Sequence, residues 1–253
     1  MPTLAAAIAG AVAALAWAAG TLTARGALAA WSVGFLVLAG TGWAGGAVLA
    51  AFFVSSNAVS RLARVPAGLD PKGNRRDALQ VYANGGVAAT AALGALTGVM
   101  AGDTAFALVT CALAAAAADT WASSFGSRSR HPPRHLLTGR AVPAGTSGGV
   151  SWAGTAGGLA GAAVVGAVAA LTGHSALLPA ATIIGVTGML ADSALGATVQ
   201  GRFRCPHCSE ASEWPRHRCG APTTLTGGWR WLSNDGVNAI ATACAAAAAW
   251  LAW

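Results

Sequence analysis

Thr104-Ala-Phe-Ala-Leu-Val-Thr-Cys-Ala-Leu-Ala-Ala-Ala-Ala-Ala-Asp119-Thr-Trp-Ala-Ser123 is twenty residues long and carries one charge. A bilayer core about 30 Å thick takes about 20 apolar residues as helix, so the run reads as a membrane span. Segments 3–22, 78–99, 150–171, 177–199 and 235–253 read the same way. Residues 27–54 form a longer apolar stretch interrupted by Gly40, Gly42, Gly45 and Gly46. Halves of roughly 12–13 residues would be too short to cross. One tilted or glycine-broken span is therefore expected there, for seven in all, with eight as the alternative.

The rest of the chain agrees. Hydrophobic residues make up 55% and charged residues 9%, against roughly 25% charged in an average soluble domain. Mean hydropathy is +0.57. So few charges cannot coat a soluble globule of 253 residues. The abundant apolar surface excludes disorder, and the 34 glycines lack the three-residue period of collagen. The Ala and Gly that dominate the apolar runs suit close helix packing in lipid. The expected class is thus an all-α transmembrane bundle forming one domain over residues 1–253.

The net charge is +7, and fourteen of the fifteen cations are Arg. Their placement points to topology rather than to nucleic acid. Residues 55–77 hold Arg61, Arg64, Lys72, Arg75 and Arg76; residues 124–149 hold Arg128, Arg130, Arg134 and Arg140; residues 200–233 hold Arg202, Arg204, Arg216, Arg218 and Arg230. The connections at 100–103 and 172–176 hold no Lys or Arg. By the positive-inside rule the three long loops face the cytoplasm, some of their arginines meeting anionic lipid. Seven spans would then place the N-terminus inside and the C-terminus outside. No basic residue precedes Arg25, so the first segment reads as a retained span rather than a signal peptide. Trp250 and Trp253 read as interfacial anchors.

Polar residues inside spans are functional candidates by default. Asp119 and Asp192 lie at similar depth in two spans, and a divalent cation is the best single explanation for both; Mg²⁺ commonly takes one or two carboxylates plus substrate phosphates. The simpler alternative is hydrogen-bonded helix glue. Asp77, Gln80 and Asn84 share a helix face at i, i+3 and i+7. Asn234, Asp235 and Asn238 open the last span. Between a basic loop and a span lies Pro143-Ala-Gly-Thr-Ser-Gly-Gly-Val-Ser151, which lacks a Walker A ending. Gly145, Gly148 and Gly149 permit close backbone approach, and Thr146, Ser147 and Ser151 offer hydroxyls. A helix starting at about residue 150 would aim free N–H groups at an anion.

Cys205-Pro-His-Cys208 followed by His217-Arg-Cys219 reads as a Cys3His structural zinc set in the cytoplasmic loop 200–233. His207, between two ligating cysteines, is the poorer ligand. A redox pair is the alternative, while disulfides do not suit a cytoplasmic loop. Cys111 and Cys244 read as packing residues.

The sequence resembles the integral membrane family called domain of unknown function 92, which takes in transmembrane protein 19 and the plant phytyl-phosphate kinase. The resemblance is carried, in order, by Ser56-Asn-Ala-Val-Ser-Arg-Leu62, Lys72-Gly-Asn-Arg-Arg-Asp-Ala-Leu-Gln-Val-Tyr-Ala-Asn-Gly-Gly86 and Ala118-Asp-Thr-Trp-Ala-Ser123. It continues through Val142–Ser151, Asp192-Ser-Ala-Leu-Gly-Ala-Thr-Val-Gln200, the Cys/His loop and Trp231-Leu-Ser-Asn-Asp-Gly-Val-Asn238. One departure is Ser124, where the family usually has Glu. A more distant likeness is to phosphatidate cytidylyltransferases and dolichol kinases, which use a nucleoside triphosphate, often CTP, with Mg²⁺ and a lipid-soluble acceptor.

The resemblance implies a membrane-embedded kinase that moves the terminal phosphate of CTP or a similar nucleotide to a prenyl or phytyl monophosphate. Asp119 and Asp192 would hold Mg²⁺, with Arg75 and Arg76 beside the reacting phosphates. Lys72, Asn84, Gly145, Thr146, Ser147, Gly148, Gly149, Ser151, Asn234, Asp235 and Asn238 would line the phosphate and nucleotide site. Nucleotidyl transfer to a lipid phosphate, and lipid-phosphate or ion transport, are the alternatives.

Overall fold

The computed structural model describes residues 2–62, 75–217 and 219–253. Lys72, one of the expected phosphate ligands, lies outside them. Among the described residues the chain runs through α1 (Pro2–Ala18), α2 (Ala24–Leu62), α3 (Ala78–Leu96), α4 (Gly102–Gly126), α5 (Trp152–Leu171), α6 (Leu177–Thr198) and α7 (Asn234–Ala252). Short strands β1 (Arg134–His135), β2 (Gly149–Val150), β3 (Arg202–Arg204), β4 (Ala211–Ser212) and β5 (Thr224–Gly227) sit in the two long loops after α4 and α6. Five helices (α2, α4, α5, α6 and α7) are long and apolar enough to cross a membrane. Large apolar side chains stand exposed around the bundle, among them Leu15, Trp43, Leu159, Ile183 and Leu251. Water would not tolerate that much scattered apolar surface, but lipid would.

The second helix corrects the expectation for residues 27–54. It is two antiparallel legs, 24–41 and 43–62, joined at Gly42, whose φ of 65° and ψ of −158° belong to glycine. A Cβ on Gly46 would stand 2.5 Å from Leu38 Cδ2, so the legs face each other across the bend. At the other end Arg61 Nη2 donates to Ala19 O at 3.3 Å, beside the α1–α2 turn. The legs are roughly 27 and 30 Å long at about 1.5 Å per residue, each enough for a bilayer core. Both outrun the apolar stretch: helix continues through Ala24–Gly26 at one end and Ser55–Leu62 at the other.

The described residues therefore make eight helical legs that alternate in direction. The α1–α2 turn, the last residues of α2, the first of α3 and the segments after α4 and α6 share one end of the bundle; Gly42, the α3–α4 and α5–α6 turns, the start of α1 and the end of α7 share the other. Every described arginine lies at the first end, Arg25 included. The first residues of α1 lie at the Gly42 end, with Leu4 and Ala5 beside Leu38 and Trp43. They are opposite the basic segments, not beside them as a seven-leg path requires.

The central element is α4. Every residue from Ala105 to Ala118 is buried, and α2, α3, α5, α6 and α7 pack around it. Such a helix is apolar on all sides, as enclosure demands. Its neighbours come close because they are small-faced: Trp121 and Phe125 of α4 fill gaps over Gly161 and Gly157 of α5. Trp121 and Asp119 are two residues apart and so point to roughly opposite sides of the helix. Seating Trp121 on α5 turns Asp119 the other way.

A candidate polar site beneath a Cys/His loop

Three helices set the level of the aspartates. Gly188 of α6 meets Ala115 of α4 and Ala241 and Ala245 of α7; a Cβ there would lie 2.7 Å from Ala115 Cβ. One turn towards the basic end this contact becomes Asp192, Asp119 and Asn238. Asp192 is 9% exposed. The Asn238 amide is satisfied in one orientation, donating to Asp192 Oδ1 at 2.7 Å and to Asn234 O at 3.3 Å. Asp119 marks where the continuous burial of α4 ends. The two carboxylates are close enough to repel each other, and the charge of Glu213 also reaches Asp192. Asp119 has no hydrogen-bond donor among the described residues, which leaves carboxylate oxygens free to take a cation.

The glycine turn arrives from the side. Gly145 and Gly148 have φ of 84° and 76°; the backbone of Gly148 lies against Ala197 and beside Gly196, the latter one turn beyond Asp192 on α6. Ser147 Oγ donates to Glu213 Oε1 and accepts from Gln200 Nε2 at 3.0 Å. Thr146 Oγ1 is turned back to Pro143 O at 2.7 Å. Gly149 pairs with His135 across β1 and β2. The helix begins two residues later than expected: Ser151 is the N-cap of α5 and its Oγ accepts from Gly154 N at 3.1 Å. The hydroxyls expected to meet phosphate thus also hold the turn.

Other expected residues have local partners. Asp77 and Gln80 form a capping box at the start of α3: Asp77 Oδ1 accepts from Gln80 N at 2.9 Å and Gln80 Oε1 from Asp77 N at 3.1 Å. Asn84 donates to Gln80 O at 2.8 Å, on the face that continues as buried Ala88 and Ala91. Thr242 Oγ1 of α7 donates to Ala83 O at 3.2 Å, which ties this face to the Asn238 helix. Asp235 lies in the first turn of α7 beside Asn234. Arg75 is exposed and its guanidinium lies beside Gly20. Arg76 bonds Thr21 and Thr23 through its backbone and stands over the Phe52 ring at 5.9 Å. The geometry therefore groups Asp119, Asp192, Asn238 and the Ser147 turn, and holds Arg75 and Arg76 at the α1–α2 turn on the same end.

The Cys/His loop folds as two knuckles on the sheet β4-β3-β5. In the first, Ser209 N donates to Cys205 O and Cys205 N to Glu210 O, with Ser209 at φ 59°. In the second, Gly220 N donates to His217 O and Gly220 has φ 85°. They bring Cys205, Cys208, His217 and Cys219 together, with ligand atoms within 4.8 Å of one another. Cys205 Sγ and Cys219 Sγ are 3.7 Å apart, close to the edge of a tetrahedron with Zn–S bonds of about 2.3 Å. His217 offers Nδ1, 3.2 Å from Cys219 Sγ. His207 is not in the set. The neighbouring His217 pulls the Cys219 thiol down to about 6, while a hydrogen bond with Cys219 raises that of Cys208 to about 11. Glu210 Oε2 lies 3.2 Å from His217 Nε2 and fixes the ring, the outer-shell carboxylate such a ligand uses. Neither Glu210 nor Glu213 has a local signature in the sequence. The Asp77-x-x-Gln80 spacing was a readable capping signal.

A family model for integral membrane protein DUF92 matches residues 7–246. The chain belongs to this family. Searches of curated proteins and of solved structures find no match. The match reaches into every helix and covers the Cys/His loop, so the polar site lies wholly within the family region.

Proposed function

We propose that this DUF92 protein is a membrane-embedded kinase that transfers the terminal phosphate of a nucleoside triphosphate, CTP or similar, to a prenyl or phytyl monophosphate. One observation carries the reading: Asp119 and Asp192, on adjacent helices near the basic end of the bundle, lie within electrostatic reach of each other. Two buried like charges are costly without a cation between them. Their all-oxygen donor set suits Mg²⁺, which supplies charge neutralisation to bound phosphates. Asn238 orients Asp192. The glycine turn on α6 and the arginines of the same end attract the anionic groups. The acceptor phosphate oxygen attacks the γ-phosphorus in line; the bond to the β-phosphate oxygen breaks, leaving a lipid diphosphate and a nucleoside diphosphate. The acceptor is already anionic, so no general base is needed and positioning does the work.

The apolar groove beside α3 suits the lipid chain. It has a volume of about 570 Å³ and is lined by Leu36, Tyr82, Val87, Leu93, Met100 and Leu108. It runs along the bundle from Tyr82 towards the far end. In this reading all eight legs cross a cell membrane, the basic end faces the cytoplasm, and both termini face the other side. The loop 200–233 carries structural zinc. The test is incubation of the purified chain with labelled CTP or ATP, Mg²⁺ and a panel of prenyl alcohols and monophosphates. A diphosphate lipid with nucleoside diphosphate supports the kinase. A nucleotide-linked lipid with pyrophosphate makes the enzyme a nucleotidyltransferase, and no product with any acceptor removes the reading.

A further inference from the structure

The contact between Ser147 and Glu213 joins two parts of the chain 66 residues apart. Glu213 sits in the segment between the two metal knuckles, after Cys208 and before His217. That segment is stapled to itself: Trp214 O accepts from Thr223 Oγ1 at 2.7 Å and from Ser212 Oγ at 3.2 Å, and Thr223 N donates to Pro215 O at 3.0 Å. Both flanks of Glu213 are thus set by residues that converge on the metal ligands. Beyond it, Ser147 takes a second bond from Gln200, which is 1% exposed at the end of α6. The turn carrying Ser147 rests on Ala197 through Gly148 and lies beside Gly196, one helical turn from Asp192.

We infer that Glu213 is a positioning residue through which metal occupancy of the Cys/His loop clasps the glycine turn onto α6. A metal ion ties Cys205 and Cys208 of one knuckle to His217 and Cys219 of the other, so it fixes both ends of the segment that presents Glu213. Without it those ends are joined only by short strands and turns, and the carboxylate loses its fixed place over Ser147. The turn then keeps its Gln200 bond and loses its charge-assisted one. The consequence for phosphate binding rests on the function proposed above; the clasp itself does not.

Hydrogen exchange on the full chain in detergent, zinc-loaded or chelated and with no nucleotide or lipid, reads the clasp directly. The reporters are the amides of Thr146 and Gly149, which bond Pro143 O and Thr146 O. Chelation is expected to raise exchange across 143–151 about tenfold, the scale of one hydrogen bond to a charged group. Glu213→Ala with zinc bound should show the same rise at 143–151 while 202–227 stays protected; Ser147→Ala, which also takes away the acceptor of the Gln200 bond, should show at least that rise; and chelation should add nothing further at 143–151 in either. Glu213→Gln, which keeps an acceptor for the Ser147 hydroxyl, should recover most of the protection. If chelation of the unsubstituted chain loosens 202–227 and leaves 143–151 unchanged, there is no clasp. Unaltered exchange in zinc-loaded Ser147→Ala overturns it equally. A clasp found in a chain that transfers no phosphate leaves this inference standing and removes only the kinase.

Discussion

Replacing Gly148 by alanine should damage the glycine turn twice over. Its φ of 76° is left-handed, and an L-residue there costs about 1–2 kcal/mol. The new Cβ would also stand 2.4 Å from Ala197 Cβ, 2.6 Å from its Cα and 2.8 Å from its N. Two of those three atoms are backbone of α6, so rotating a side chain gives no relief. Reaching ordinary contact requires the turn to lift by about 1 Å, and overpacking of this kind costs about 1–3 kcal/mol. The total is roughly 2–5 kcal/mol. Gly145→Ala is the internal control: its φ of 84° is just as left-handed, but a Cβ there meets nothing within 4 Å. It should lose only the backbone part, about 1–2 kcal/mol. Thermal unfolding in detergent measures the difference, and hydrogen exchange over 143–151 should rise well above the control in Gly148→Ala. Phosphoryl transfer should fall about 100-fold, the scale of a 1 Å misplacement. Equal losses in the two variants would refute the seating of this turn on α6.

Gly42→Ala should cost about 1–3 kcal/mol through backbone strain at the bend of α2, whereas Gly102→Ala, also in open space but without positive φ, should be near neutral in the same unfolding assay. Glu210→Gln should weaken zinc binding about 10–100-fold by freeing the His217 ring, as competition with a chelator would show; unchanged affinity contradicts the proposed orientation. A cysteine label at position 98 and a tag on the N-terminus should react from the same side of the membrane, with a label at 139 reacting from the other; an N-terminal tag on the side of 139 would restore the seven-span path.

Much of this architecture was legible because lipid imposes simple rules. Long apolar runs, basic loops alternating with neutral ones, and a Cys-x2-Cys with His-x-Cys each state a local requirement. So did Asp119 and Asp192, whose charge stands out against apolar helix. The bend at Gly42 is not legible in the apolar stretch alone, because helix continues past it at both ends, through Ala24–Gly26 and into Ser55–Leu62. Glycines interrupt one span and let two legs pack equally well, so their presence does not choose between seven spans and eight. Glu210 and Glu213 were hidden for another reason. A carboxylate in a polar loop has no local signature, and their roles come from pairing with His217 and with Ser147, the second of these across the chain. The polar stripe at Asp77 and Gln80 was legible as a cap, since each side chain bonds the other's backbone.

The most direct measurement is Mg²⁺-dependent transfer of labelled phosphate to a prenyl monophosphate by Asp119→Asn, Asp192→Asn and the double variant, each beside the unsubstituted chain. Asparagine keeps size and hydrogen bonding but removes the anion that a divalent cation needs. Each single change should lower turnover by at least about a hundredfold, with thermal unfolding unharmed, because an amide is cheaper in the membrane than a carboxylate. A well-folded double variant that still transfers phosphate at nearly the normal rate would contradict the proposed metal site and the kinase built on it.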